Sequence, residues 1–177
     1  MLEEKRIQEA KNNMQNYLRE DLVKKTGKTE PEIKNILVNN SRESLKVADI
    51  LYKNDYSSLW TIVCSYYAMY YIANAIIYNK GYKIGHKISH KITSDALIVY
   101  IRKDLKDSLL EDYELAKQEA LEIAGIKADE LIETFELERV KRSRFQYSMT
   151  KTAIRAKAKT SLERAKRFVF EMEKLMG

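Results

Sequence analysis

The chain has 177 residues, 33% of them charged and 45% hydrophobic, with a formal net charge of +6. That length fits one domain with an appendage and suffices to bury a real core. Five glycines and one proline exclude a sheet-rich fold built on tight hairpins, and a single cysteine excludes an intramolecular disulfide. Glu3, Glu4, Glu9 and Glu20 near the start leave no room for the apolar stretch of a signal peptide, so the expectation is a cytoplasmic, helical protein.

In chain order, Leu2 to about Val23 reads as a helix, with Ile7, Ala10, Met14, Tyr17 and Leu18 at three- and four-residue spacings. Gly27 marks a break, and Pro31 suits the first turn of a short helix to about Asn39. Asn40 or Ser41 can cap the next, whose inner face carries Leu45, Ala48, Leu51 and Tyr52. Asp55 or Ser57 opens a tyrosine-rich helix that Gly81 closes. A polar connector covers residues 83–91, and Ser94 starts a helix to about Leu105. Further helices are predicted from Leu109 to Ile123, from Asp129 to about Met149 and from Ala153 to Met176. No stretch alternates convincingly as a strand. The expected class is all-α.

Charge is distributed in blocks. Residues 104–138 hold twelve acids and three lysines, a balance of −9. Residues 139–167 hold eleven basic side chains against Glu163 alone, a balance of +10. A cationic segment this dense attracts phosphate backbones or an acidic partner. The plainer alternative is that the two blocks neutralise each other in the fold or solvate a helix face.

The segment CSYYAMYYIANAIIYNKG, Cys64 to Gly81, contains five tyrosines, and the twenty-four residues between Asp55 and Lys80 carry no charge. That is long enough to cross a bilayer, but its tyrosines would sit at mid-membrane and not at the interface where they belong. A helix apolar all round also suits the centre of a bundle. Base stacking is disfavoured by sequence, because nothing basic lies between Tyr56 and Asn79. The rings are expected in a core, with hydroxyls reaching its periphery or a dimer seam, and no membrane is implied.

SYYAMYYIANAIIYNKGYKIGHK resembles the signature of HEPN domains, and KTSLERAKRFVFEMEKL is similar to that family's closing helix. The resemblance spans Ser41 to Met176 and implies an up-and-down bundle of four or five helices (residues 41–177), often a homodimer, behind an N-terminal helical extension (residues 1–40). In the family an Arg and a His commonly form a metal-independent ribonuclease site, in toxins paired with a nucleotidyltransferase-like antitoxin. Here Arg142 is followed at the family's spacing by Tyr147 in place of the histidine, so the chain resembles the branch that lacks it. The resemblance makes Arg142 and Tyr147 the candidate catalytic pair.

Cleaving RNA at its 2′-hydroxyl needs a base that titrates near neutrality, which histidine does and tyrosine, with a pKa of about 10, does not. Arginine still holds a phosphate bidentately, so binding is retained more easily than cleavage. Residues five apart lie about 140° apart on a helix, so Arg142 and Tyr147 do not share a face. Arg139, Arg142 and Gln146 do. Candidate RNA contacts are Arg139, Lys141, Arg144, Gln146, Lys151 and Arg155.

His86 and His90 have a spacing that can bind zinc on a helix face, but no third ligand stands nearby, so no metal and no cofactor is expected. A rival is that one of them supplies the missing base. Cys64 reads as an inert core thiol. Two function classes follow: a helical module that binds RNA, a nucleotide or a nucleotidyltransferase-type partner in a toxin–antitoxin-like system, or an active ribonuclease centred on Arg142.

Overall fold

The computed structural model describes residues 3–124 and 151–176. Six α-helices and one two-stranded ribbon make up this part, so the class is all-α as expected. Helix α1, Glu4–Arg19, buries Ile7, Ala10, Met14 and Tyr17. It ends short of the predicted Val23, because Asp21 takes a left-handed φ of 57° and Val23 opens a strand, β1, Val23–Lys25.

Helix α2 runs unbroken over Pro31–Lys53, where two helices were predicted. Ser41 is not a cap. It is fully buried, and its hydroxyl donates to the Ala68 carbonyl at 2.7 Å, so the neighbouring helix satisfies it and the helix continues. The boundary expected between residues 40 and 41 falls inside α2.

Helix α3, Ser58–Asn79, is the predicted tyrosine helix. The Ser57 hydroxyl caps its start, accepting from the Trp60 N–H at 3.2 Å. Gly81 turns the chain at its end with a φ of +89°, which a side chain would strain. There follow β2, Tyr82–Ile84, and α4, Ser89–Ala96, which starts five residues before the predicted Ser94. A π-helical turn at Leu97–Ile101 and a single 3₁₀ turn at Arg102–Asp104 complete this segment. Helix α5 is Asp107–Ala124 and helix α6 is Lys151–Leu175.

β1 and β2 pair antiparallel in the register Val23↔Ile84, Lys24↔Lys83, Lys25↔Tyr82. No strand was expected here, because three-residue strands are too short for alternation to register.

Cross-links between helices fix their directions. Arg42 pairs with Glu173 and Lys166 with Asp49, so α2 and α6 are antiparallel. Asp112 takes Arg167 while Glu119 takes Lys157, which sets α5 against α6. With α2 and α3 joined by a short turn, α2, α3, α5 and α6 run up, down, up and down. The helix α1 packs alongside, against α4 and the π-helical turn.

α3 lies at the centre, in contact with α2, α5 and α6. Its Ala68, Ala73 and Ala75 are fully buried and let the neighbouring helices approach closely, while Ile72 and Ile76 fill the spaces between. Truncating either isoleucine to alanine costs roughly 2–5 kcal/mol. A helix without charge on any side therefore sits where neighbouring helices cover most of it, leaving Tyr67, Tyr70 and Tyr71 half-buried. Among the described residues, no helix is long and apolar enough to cross a membrane.

Candidate ligand-binding site

The tyrosines of α3 divide by direction. Tyr66 and Tyr78 belong to the core, at 0% and 3% exposure. Tyr67, Tyr70 and Tyr71 are half-buried and line up along one side of the helix. Tyr56, at 71% exposure, stands in solvent and is no part of the core. Ring centroids of Tyr67, Tyr70 and Tyr71 lie 5.6–6.1 Å apart in tilted and edge-on arrangements. Such geometry places ring edges against ring faces and holds the array rigid.

His90, near the start of α4, closes this aromatic group. Its centroid is 4.6 Å from that of Tyr70 and 5.9 Å from that of Tyr67. Its Nδ1 is hydrogen-bonded to the Tyr66 hydroxyl at 2.7 Å. Burial, with the nearby Lys117 ammonium adding to it, pushes the imidazole down to about 4. It is neutral at pH 7 and a weak base. Burial likewise raises the Tyr66, Tyr67 and Tyr70 phenols, which stay protonated donors. Lys117 itself donates to Ser94 Oγ at 2.7 Å and pairs with Glu114 at 2.7 Å, so its charge is already answered. The Tyr113 hydroxyl is buried with no well-formed hydrogen bond among the described residues, although its ring lies 5.9 Å from that of Tyr66.

Beyond Tyr70 and Tyr71 the tyrosine side opens into a cavity of about 290 Å³. α3 contributes Tyr70, Tyr71, Asn74 and Tyr78, and α2 contributes Ile33 and Leu37. The opposite wall is β2 and the two residues after it, Gly85 and His86. No carboxylate lines this space.

Most of the predicted site residues are not among those described. Arg139, Lys141, Arg142, Arg144, Gln146 and Tyr147 lie outside the described residues, and Lys151 begins α6. Arg155 is described: it pairs with Asp55, and its guanidinium lies 4.8 Å over the Tyr52 ring. The rest of the basic run on α6 is largely answered by acids. Arg164 reaches Asp112 at 3.3 Å and Glu119 at 3.5 Å, Arg167 pairs with Asp112, and Lys166 with Asp49. Among the described residues, then, Lys157, Arg164 and Arg167 of α6 meet Asp112 and Glu119 of α5, the kind of pairing the plainer alternative expects, while Lys166 and Arg155 meet Asp49 and Asp55.

His86 and His90 do not share a helix face, since His86 lies in the connector and only His90 in α4. Among the described residues no three His, Cys, Asp or Glu side chains converge. The Cys64 thiol is half-buried, and burial raises its pKa away from reactivity.

Comparison of the chain with protein-family models, with curated proteins and with solved structures finds no match. The site is therefore read from its own geometry. The stretch GYKIGHK carried a signal for it in sequence, a lysine, glycine and histidine directly after an aromatic helix; His86 was weighed there as a zinc ligand or as the missing base, but no site role was attached to Lys83 or Gly85.

Proposed function

We propose that this chain is an RNA-binding helical bundle of the HEPN type, in which the half-exposed side of α3 stacks bases. The supporting observation is the array of Tyr67, Tyr70 and Tyr71 with the neutral His90, opening into a cavity that no carboxylate lines. Aromatic side chains stack any base and contribute about 1–3 kcal/mol each. The sequence argument against stacking was that no basic residue interrupts the helix. Packing brings a cation from another element, since Lys83 is among the residues that line the cavity beside the rings.

The HEPN resemblance supports the same reading, and brings with it a homodimer and a nucleotidyltransferase-like antitoxin as partner. The alternative, a metal-independent ribonuclease centred on Arg142 with Tyr147, needs a base near neutrality. His90 is a poor one, because its Nδ1 is engaged by Tyr66 and its pKa is low.

The test is binding of a labelled single-stranded RNA to the full-length protein in EDTA, over a salt series, beside a Tyr67→Leu, Tyr71→Leu double variant. The expected result is uncleaved RNA, affinity that falls steeply with salt, and weaker binding by the variant. Binding that ignores both salt and the tyrosines would overturn the reading. Cleavage by the wild type that Arg142→Ala abolishes would replace it with the ribonuclease.

A further inference from the structure

The β1–β2 ribbon walls one side of the cavity, and its two faces differ in chemistry. Tyr82 and Ile84 line the cavity and pack against the core. Lys83 alternates with them, so its side chain leaves the ribbon on the outer face, and so does that of Lys24, its cross-strand partner. Both lysines are exposed, and neither makes an ion pair among the described residues. We propose that β2 is a charge-loosened strap over the cavity. Repulsion between Lys24 and Lys83 lets it lift, and negative charge reaching the outer face closes it. The device concerns access to the cavity and does not rest on the RNA-binding reading.

Little holds the ribbon together. The Gly85 N–H donates to the Leu22 carbonyl and the Thr26 N–H to the Gly81 carbonyl, each at 2.8 Å, and the lysine pair stands midway between these two bonds. A two-stranded ribbon this short is marginal in water by itself. Like charges set directly opposite weaken it further. Glycine stands at both ends of β2, where lifting must be absorbed by backbone rotation. Gly81 already holds a φ of +89°, and Gly85 sits so close to Leu22 that a Cβ would come 3.0 Å from its carbonyl oxygen.

Apolar contacts return the strap. The Tyr82 ring stacks on that of Tyr100, in the π-helical turn, with centroids 4.0 Å apart, and Ile84 packs against the core. These contacts carry no net charge, so salt leaves them nearly untouched. The lysine repulsion is different: screening shortens its reach from about 30 Å at 0.01 M salt to about 3 Å at 1 M. Ionic strength therefore acts on the strap through one pair of side chains.

The experiment uses the full-length protein in sodium chloride from about 0.01 to about 1 M. Amide hydrogen exchange is read at Gly85 and Thr26, with Ile72 and Ile76 of α3 as references. Neither ribbon amide adjoins a lysine of the pair, so substitutions there leave its intrinsic exchange unchanged. A neutral paramagnetic probe reports, through the methyl resonances of Ile33 and Leu37, how open the cavity is. Relative to the references, ribbon protection should rise about 1.5- to 5-fold with salt, the size of one like-charge pair across a ribbon. Probe access to Ile33 and Leu37 should fall in step.

Lys83→Glu should reverse the sign, with protection highest at low salt and falling as salt is added. Lys24→Glu should do the same. The double variant again sets like charges opposite each other and should restore the wild-type direction. Neither single variant should lower Tm, because each replaces repulsion with attraction. The same salt response in all four proteins would overturn the proposal. So would ribbon protection that follows the charges while Ile33 and Leu37 stay equally accessible, since the ribbon would then be a clip that gates nothing.

Discussion

Removing the Arg6 side chain should destabilise the protein far more than its surface position suggests. Arg6 lies on α1 with 29% of its side chain exposed, and its Nη2 is 2.6 Å from Asp95 Oδ1 in α4. Asp95 is fully buried, and its Oδ2 accepts from Asn13 Nδ2 at 3.0 Å and from the Tyr17 hydroxyl at 3.1 Å. All three donors come from α1, so a single helix answers this buried charge. Breaking a buried pair by removing one partner costs roughly 3–5 kcal/mol, because the other charge is left without compensation.

Two details place Arg6→Ala below the top of that range. The two hydrogen bonds to Oδ2 remain. The contact to Oδ1 is also an ion pair without good hydrogen-bond alignment, and Arg6 Nη1 finds no acceptor among the described residues. We expect a loss of about 2–3 kcal/mol, or a fall in Tm of roughly 4–12 °C for a chain of this size. The control is Arg42→Ala. Arg42 pairs with Glu173 at 63% and 32% exposure, and its removal should cost no more than about 1 kcal/mol. Thermal and urea unfolding of both variants at pH 7 make the comparison. Equal losses for Arg6→Ala and Arg42→Ala would refute the claim that α1 carries the compensation for Asp95. Hydrogen exchange gives a second view: α4 and the π-helical turn should lose protection in Arg6→Ala and keep it in Arg42→Ala.

Three further outcomes are expected. The His90 imidazole is held at about 4 in the fold against an ordinary 6.5. Between those values the unfolded chain binds a proton that the folded one does not, so stability is full above about pH 6.5 and declines as pH falls toward 4. Melting temperatures across that window should show the decline, and His90→Gln should flatten it. Tyr66→Phe removes the hydroxyl bonded to His90 Nδ1 and should cost about 1 kcal/mol, with a shift of the His90 ring nitrogens in 15N NMR as its signature. Gly81→Ala forces a side chain to adopt the left-handed φ of +89° and should cost roughly 1–2 kcal/mol in denaturant unfolding, with m unchanged.

Composition and spacing were enough for some of this. An uncharged run from Tyr56 to Asn79 can be stable in water only if other helices cover it, and α3 is indeed covered by α2, α5 and α6. The Ser57 cap and the Gly81 stop are local devices, written in residue types that act on their own backbone, and both were legible. The interior of α2 was not legible. Ser41 reads as a cap until α3 offers its Ala68 carbonyl, and only tertiary contact decides which partner the hydroxyl takes. The ribbon was hidden for a related reason. Three residues carry no period, and β1 and β2 are joined only by pairing across the two helices between them.

The site divides in the same way. That the chain has a tyrosine-rich helix is a fact of its sequence. Which rings turn outward was decided by where the neighbouring helices lie, with Tyr66 and Tyr78 inside and Tyr67, Tyr70 and Tyr71 half out. The charge blocks were countable, but a count cannot tell a free cation from a paired one. Asp112 and Glu119 claim Arg164, Arg167 and Lys157 only because α5 and α6 run side by side in opposite directions. Lys24 and Lys83, which make no ion pair among the described residues, come from strands remote in the chain, and what sets them together is backbone pairing that no side-chain pattern records. Local chemistry determined the helices and their ends. Packing alone decided which side chains came to face one another.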